Sequence, residues 1–99
     1  MPTPLRVLVA DDHPVVRAGL IALLGTLEGI EVVGEAGDGD AAVREAMLSR
    51  PDAVILDLRM PVLDGVGAAR RITADLPGTA VLVLTMFDDD QSVTAAIRN

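Results

Sequence analysis

Val7-Leu8-Val9-Ala10-Asp11-Asp12, Ala53-Val54-Ile55-Leu56-Asp57 and Val81-Leu82-Val83-Leu84-Thr85 share one plan, an apolar run that ends in a short oxygen-bearing side chain. Short, nearly unbroken apolar runs are the pattern of strands covered on both faces, as in a parallel sheet. If the three lie side by side, their polar ends gather at the carboxyl edge of that sheet, where open α/β folds place their ligands. Three carboxylates crowded there repel one another unless a cation lies between them, and Mg²⁺ is the hard ion that such oxygens suit. Taken singly, each residue also has a structural explanation. Asp11 and Asp12 precede a helix, whose free amides and positive end favour acids. Thr85 is a β-former at a strand end. Asp57 is the hardest to explain that way, because a carboxylate directly after four buried residues needs a compensating cation or donor.

The remaining elements alternate between periods. From Pro14, Val16, Leu20, Leu23, Leu24 and Leu27 fall at helical spacing, Pro14 suits a first helical turn, and Gly29 closes the helix. Residues 30–36 read as a second strand, followed by the turn Gly37-Asp38-Gly39. Asp38 then caps a second helix with Ala42, Val43, Ala46 and Met47 inward and Pro51 beyond its end. After the loop from Arg59 to Asp64, a third helix buries Ala68, Ala69, Ile72 and Leu76 and stops at Pro77-Gly78. Residues 88–98 are predicted as a fourth helix, with Val93, Ala96 and Ile97 inward. Strand and helix thus alternate four times, and right-handed crossovers make the sheet parallel and sandwiched by helices.

Composition narrows the function. The 99 residues make one domain, and at this size roughly 60–70% of the unfolded surface is buried on folding. With 51% apolar residues and a net charge of −7, the chain is too hydrophobic for disorder and too acidic to hold nucleic acid on its own surface. The absence of cysteine excludes disulfides and zinc–thiolate sites. Met1-Pro2-Thr3-Pro4 lacks the plan of a signal peptide, and no apolar stretch approaches 18 residues, so a cytoplasmic chain without membrane contact is expected. All eight basic residues are arginine.

Other motifs read structurally. Asp64-Gly65 is a turn and helix start, Met60-Pro61 shapes the loop after Asp57, and Asp88-Asp89-Asp90 is a solvated helix N-terminus. The glycines at 34, 37 and 39 have the wrong spacing and place for a dinucleotide fingerprint. His13, a lone histidine on a loop next to acids, is read as a polar loop residue, with a phosphodonor or metal role as the lesser alternative.

In order along the chain, Asp11-Asp12-His13-Pro14, Asp57-Leu58-Arg59-Met60-Pro61 and Leu84-Thr85-Met86 resemble the receiver domain of bacterial two-component response regulators. With Val16-Arg17-Ala18-Gly19-Leu20 they are most similar to the subgroup that carries a LuxR/NarL-type helix-turn-helix after the receiver. The resemblance implies a flavodoxin-like α/β fold, here (βα)4 of an expected (βα)5, with strand order 2-1-3-4. It implies that Asp57 is the phosphoacceptor, that Asp11, Asp12, Asp57 and the backbone carbonyl of Arg59 hold Mg²⁺, and that Thr85 is the switch hydroxyl. A sensor histidine kinase is the implied partner, transcription the implied output, and DNA is reached only through a further C-terminal domain. The chain is then a signalling domain, at most self-phosphorylating and self-dephosphorylating, rather than an enzyme.

One departure stands out. The family carries a lysine at the end of a fifth strand, and this chain has none, which implies a receiver of residues 1–99 that is incomplete at its C-terminus. Phosphorylation of this form is expected to be slow or absent. The fourth strand would be an open edge, one sheet face would be partly uncovered, and homodimerisation or other self-association through the fourth strand and fourth helix, or marginal stability, is expected. Two alternatives are a phosphorylation-independent interaction or dimerisation module and a metal-dependent phosphohydrolase. The latter is disfavoured by Arg59, where such enzymes have a second acid.

Overall fold

The computed structural model describes residues 3–57, 65–86 and 93–98, with the backbone alone for residues 65, 84–86 and 93–98. In chain order the elements are β1 (Leu5–Ala10), α1 (Pro14–Gly25), β2 (Ile30–Ala36), α2 (Gly39–Ser49), β3 (Ala53–Asp57), α3 (Gly65–Asp75), β4 (Ala80–Met86) and β5 (Val93–Arg98). They build one five-stranded sheet in the order β2-β1-β3-β4-β5. The first four strands are parallel, in the expected order 2-1-3-4.

Local chemistry sets the element ends. Pro14 opens α1, and the Asp38 carboxylate accepts the Ala41 N–H at 2.7 Å and so caps α2. At the other end of α2, Arg50 adopts the left-handed conformation (φ 47°) and returns its N–H to the Ala46 carbonyl, just before Pro51 stops the helix. The amino edge of the sheet is stitched by Asp52. Its carboxylate accepts the Arg6 N–H at 2.8 Å, its own N–H donates to the Arg6 carbonyl at 2.8 Å, and its carbonyl accepts from Ala80 at 3.0 Å.

The core lies on one side of the sheet. Leu8 and Ala10 of β1, Val54 and Leu56 of β3, and Val81 and Val83 of β4 meet Ala42, Val43 and Ala46 of α2 and Ala68, Ala69, Ile72 and Leu76 of the α3 region. The inward positions expected for both helices are thus buried, except Met47, which is half-buried against the core, while Arg70 and Arg71 are exposed. Close packing even shapes β2: the register slips by one residue between Val7 and Leu8, and Gly34 sits where a Cβ would stand 3.1 Å from Leu8 Cδ1.

The other side is thinly covered. α1 lies against β1 and β2, Val7 and Val9 are buried there, but Ile55 and Leu82 are only half-buried. No residue of α1 is buried, and Val15, Val16 and Leu23 are exposed, as is Leu27 just after it. Val16, Leu20, Leu23 and Leu24 lie on α1 as their spacing predicts, but the helix ends at Gly25 with Thr26 as its cap, before Leu27 and the expected stop at Gly29.

The fourth helix is a correction. Residues 93–98 form β5, antiparallel to β4 from Val81↔Arg98 to Met86↔Val93, and the rest of the predicted helix, residues 88–92, lies outside the described residues. Two physical facts favour the strand. β4 would otherwise leave a row of backbone donors and acceptors unpaired, and Val93, Thr94 and Ile97 are β-branched. Only residues 87–92 separate the strands, too few for a parallel crossover, so the return is antiparallel. The expected route to self-association through an open fourth strand and a fourth helix is therefore overturned: that edge of β4 is paired within the chain.

Candidate functional site

The register of the sheet decides the neighbourhood. Ala10 of β1 pairs with Leu56 of β3, so Asp11 and Asp57 leave adjacent strands at the same level of the carboxyl edge. Both are buried, at 4% and 8% exposure. Asp12 follows on the loop to α1 and is half-buried. Ligand atoms of Asp11, Asp12, His13 and Asp57 all lie within 4.8 Å of one another. At an effective dielectric of about 20, two carboxylate charges that close repel by about 3 kcal/mol or more, so a positive partner is required.

His13, when protonated, supplies part of it. Its backbone N–H donates to Asp11 Oδ1 at 2.7 Å, and the ring Nδ1 lies 2.9 Å from the same oxygen. The same nitrogen is 2.9 Å from Asp12 Oδ1 and 3.6 Å from Asp57 Oδ2. Hydrogen bonding to Asp11 and the charge of Asp12 raise the His13 pKa above its ordinary 6.5, with smaller upward contributions from the charges of Asp11 and Asp57 and a partial offset by desolvation. The two carboxylates share that one nitrogen, and Asp12 Oδ1, shielded from solvent, has no hydrogen bond beyond this ion-pair contact, alone in this among buried side-chain polar atoms of the described residues.

A second cation braces the site from behind. Arg17, on the first turns of α1, donates from Nη1 to the Asp11 carbonyl at 2.6 Å and from Nε to Glu35 Oε1 at 2.8 Å. Asp11 N–H in turn donates to the Ala36 carbonyl at 3.0 Å, so the peptide of Asp11 is held on both sides. Gly37 makes room for this guanidinium, since a Cβ there would stand 3.3 Å from Arg17 Nη1.

Residues 7–99 match the family described as response regulator receiver domain. The chain belongs to that family. The receiver is 44% identical over 94 residues to the transcriptional regulatory protein LiaR of Bacillus subtilis, covering 95% of this chain and 44% of that protein. It is 40% identical over 96 residues to the oxygen regulatory protein NreC of Staphylococcus haemolyticus, covering 96% of this chain and again 44% of the relative. The signal receiver domain of the response regulator NarL from Mycobacterium tuberculosis superposes with a TM-score of 0.82 at 39% identity, over 89% of this chain and 71% of that one. The flavodoxin-like receiver fold and the LuxR/NarL type of the relatives are thus as expected, and this receiver spans less than half the length of the curated relatives it matches.

Of the expected site residues, the receiver brings Asp11, Asp12 and Asp57 together. Thr85 continues β4 one residue past the Asp57↔Leu84 pair, which puts its backbone beside the site, and its side chain lies outside the described residues. Arg59, with the whole stretch 58–64, also lies outside them. The acidic cluster is compatible with Mg²⁺: three carboxylates are a hard oxygen donor set, and the unsatisfied Asp12 Oδ1 is an acceptor that a cation would complete. His13, for which the polar-loop reading outweighed a metal role, has its nitrogen among the acids, and Arg17, which was not anticipated, grips the carbonyl of Asp11. The signal for His13 was its place two residues after Asp11, where an N–H folds back onto an aspartate oxygen in an Asx turn. Arg17 carried none, because its partners are a main-chain carbonyl and a glutamate 18 residues away.

Proposed function

We propose that this receiver accepts a phosphoryl group on Asp57 from a phosphohistidine of a sensor kinase, in a reaction that depends on Mg²⁺. The observation that carries this reading is the placement of the Asp57 carboxylate at the end of β3, beside Asp11 and within the same cluster as Asp12. An Asp57 oxygen is the nucleophile: its bond to phosphorus forms as the phosphorus–nitrogen bond of the donor breaks, the electron pair stays on that nitrogen, and with the other ring nitrogen protonated the products are an acyl phosphate and a neutral histidine. Transfer of this kind has a loose transition state, so the protein's work is alignment and charge neutralisation. Burial holds Asp57 in one orientation, and Asp11 and Asp12, with the carbonyl of Arg59, are the ligands we assign to the metal. When bound, Mg²⁺ supplies neutralisation of the phosphoryl oxygens.

Thr85 is the proposed switch hydroxyl, bonding to the phosphoryl group and biasing a pre-existing equilibrium at the carboxyl end of β4. The output, by the same reading, is a DNA-binding domain beyond residue 99 that controls transcription. The relatives' names support it: LiaR is a transcriptional regulatory protein, and RcsB, a structural neighbour at TM-score 0.80 and 32% identity, is a response regulator solved in complex with DNA.

The test is incubation with Mg²⁺ and a small phosphodonor such as phosphoramidate, read by intact mass, on the 99-residue chain and on any longer product of its reading frame. A longer product is expected to gain one phosphoryl group, and the lysine-free 99 residues to gain it slowly or not at all. An adduct that persists after Asp57→Asn refutes the assignment of the acceptor. A second reading, an interaction module independent of phosphorylation, is favoured by the exposed Val15, Val16 and Leu23 on α1, and predicts partner binding unchanged by Asp57→Asn.

A further inference from the structure

A cation bound by hard oxygens has no need of an imidazole, yet one stands in the middle of this cluster. His13 Nδ1 is 2.9 Å from Asp11 Oδ1, 2.9 Å from Asp12 Oδ1 and 3.6 Å from Asp57 Oδ2. Adjacent ligands of one octahedral ion with bonds of ~2.1 Å stand ~3.0 Å apart, and those of a tetrahedral ion with bonds of ~2.0 Å stand ~3.3 Å apart. The three nitrogen–oxygen separations bracket those spacings, so the ring is within reach of any ion the carboxylates share. Its position is also held by the backbone. The His13 N–H is bonded to Asp11 Oδ1 at 2.7 Å, and Pro14 starts α1 immediately after it. The same nitrogen faces Asp12 Oδ1, which is shielded from solvent and has no other partner among the described residues.

We propose that His13 Nδ1 is a metal ligand, and that this site takes a divalent first-row transition ion through one imidazole nitrogen and the carboxylates of Asp11, Asp12 and Asp57, whereas Mg²⁺ uses the oxygens alone. The proposal rests on the metal-binding part of the function above. To ligate, the ring releases its Nδ1 proton to solvent and keeps the one on Nε2, so that the Nδ1 lone pair faces the ion the carboxylates share. Imidazole is a poor ligand for Mg²⁺ and a good one for Co²⁺ or Zn²⁺, and the gain grows along the series from Mn²⁺ to Ni²⁺. The site is thereby biased toward transition ions in a way that three carboxylates alone are not.

The experiment is a calorimetric titration of the metal-free chain with MgCl₂ and, separately, CoCl₂, for the unaltered protein and for His13→Ala, His13→Asn and Asp57→Asn. Pulsed EPR of the Mn²⁺-loaded protein reads directly bound nitrogen. Binding of Co²⁺ should weaken by about tenfold or more in both His13 variants. Mg²⁺ binding should change by no more than about twofold in the same variants, since the nitrogen adds little for that ion. A ¹⁴N coupling should appear with Mn²⁺ and vanish in both. His13→Asn keeps a polar side chain in the loop, so it reports ligation if His13→Ala is unfolded by circular dichroism. Equal Co²⁺ affinity in the unaltered protein and His13→Asn, with no ¹⁴N coupling, overturns the proposal while leaving the Mg²⁺ reading intact. Failure of both ions to bind the unaltered protein, or binding indifferent to Asp57→Asn, overturns the metal site itself and the proposal with it.

Discussion

Asp11 is held at its N–H, its carbonyl and its carboxylate. Its N–H bonds to β2, its carbonyl to Arg17, and one carboxylate oxygen receives both the backbone and the ring of His13. That arrangement makes the metal-free site sensitive to pH in a predictable direction. The His13 pKa is raised above 6.5, so folding is favoured by its protonation: the contribution is fully present below about pH 6.5 and is lost as pH rises through the folded pKa. NMR titration of the imidazole in metal-free protein should give a midpoint above 6.5, and Asp11→Asn should lower it. A midpoint at or below 6.5 would show that the ring does not hold its bond to Asp11 in solution.

At the scale of elements, caps and edges carry the information. Arg50 holds a left-handed conformation that costs a side-chain-bearing residue roughly 1 kcal/mol relative to glycine. Arg50→Gly should therefore stabilise the fold by about 0.5–1 kcal/mol, seen as a higher urea midpoint at unchanged slope. The carboxyl-terminal segment offers the opposite lesson. Residues 93–98 contain Ala95 and Ala96, good helix formers, beside the β-branched Val93, Thr94 and Ile97, so local preference is divided and the unpaired edge of β4 decides. Deleting residues 93–99 should uncover that edge and produce concentration-dependent association in light scattering, whereas a monodisperse monomer at high concentration would show that β5 is dispensable for protecting β4.

Among the described residues, the molecule has a dense side and a thin one. Ile72 is fully buried between the sheet and α2, and Ile72→Ala should cost about 3 kcal/mol. Leu23, exposed on α1, should tolerate Leu23→Gln within about 0.5 kcal/mol. Chemical denaturation of the two variants measures the contrast, and a Leu23 effect as large as that of Ile72 would mean that α1 is covered in solution. This asymmetry explains how much could be read in advance. The helices α2 and α3 were legible down to their inward residues, because each packs on a sheet face whose own alternation matches. For α1, the period announced a helix, and only the tertiary structure showed that none of its residues is buried.

The order of strands and helices, the capped start of α2 and the gathering of Asp11, Asp12 and Asp57 were determined by the sequence itself. Period, caps and chain direction are local, and in a parallel sheet the ends of adjacent strands meet at one edge. The tertiary structure alone decided the rest: the His13 nitrogen among the three acids, the Arg17 brace behind Asp11, and a strand instead of a helix at residues 93–98. Each of these depends on partners distant in sequence or on a few ångströms of loop geometry, and neither leaves a periodic trace in the chain.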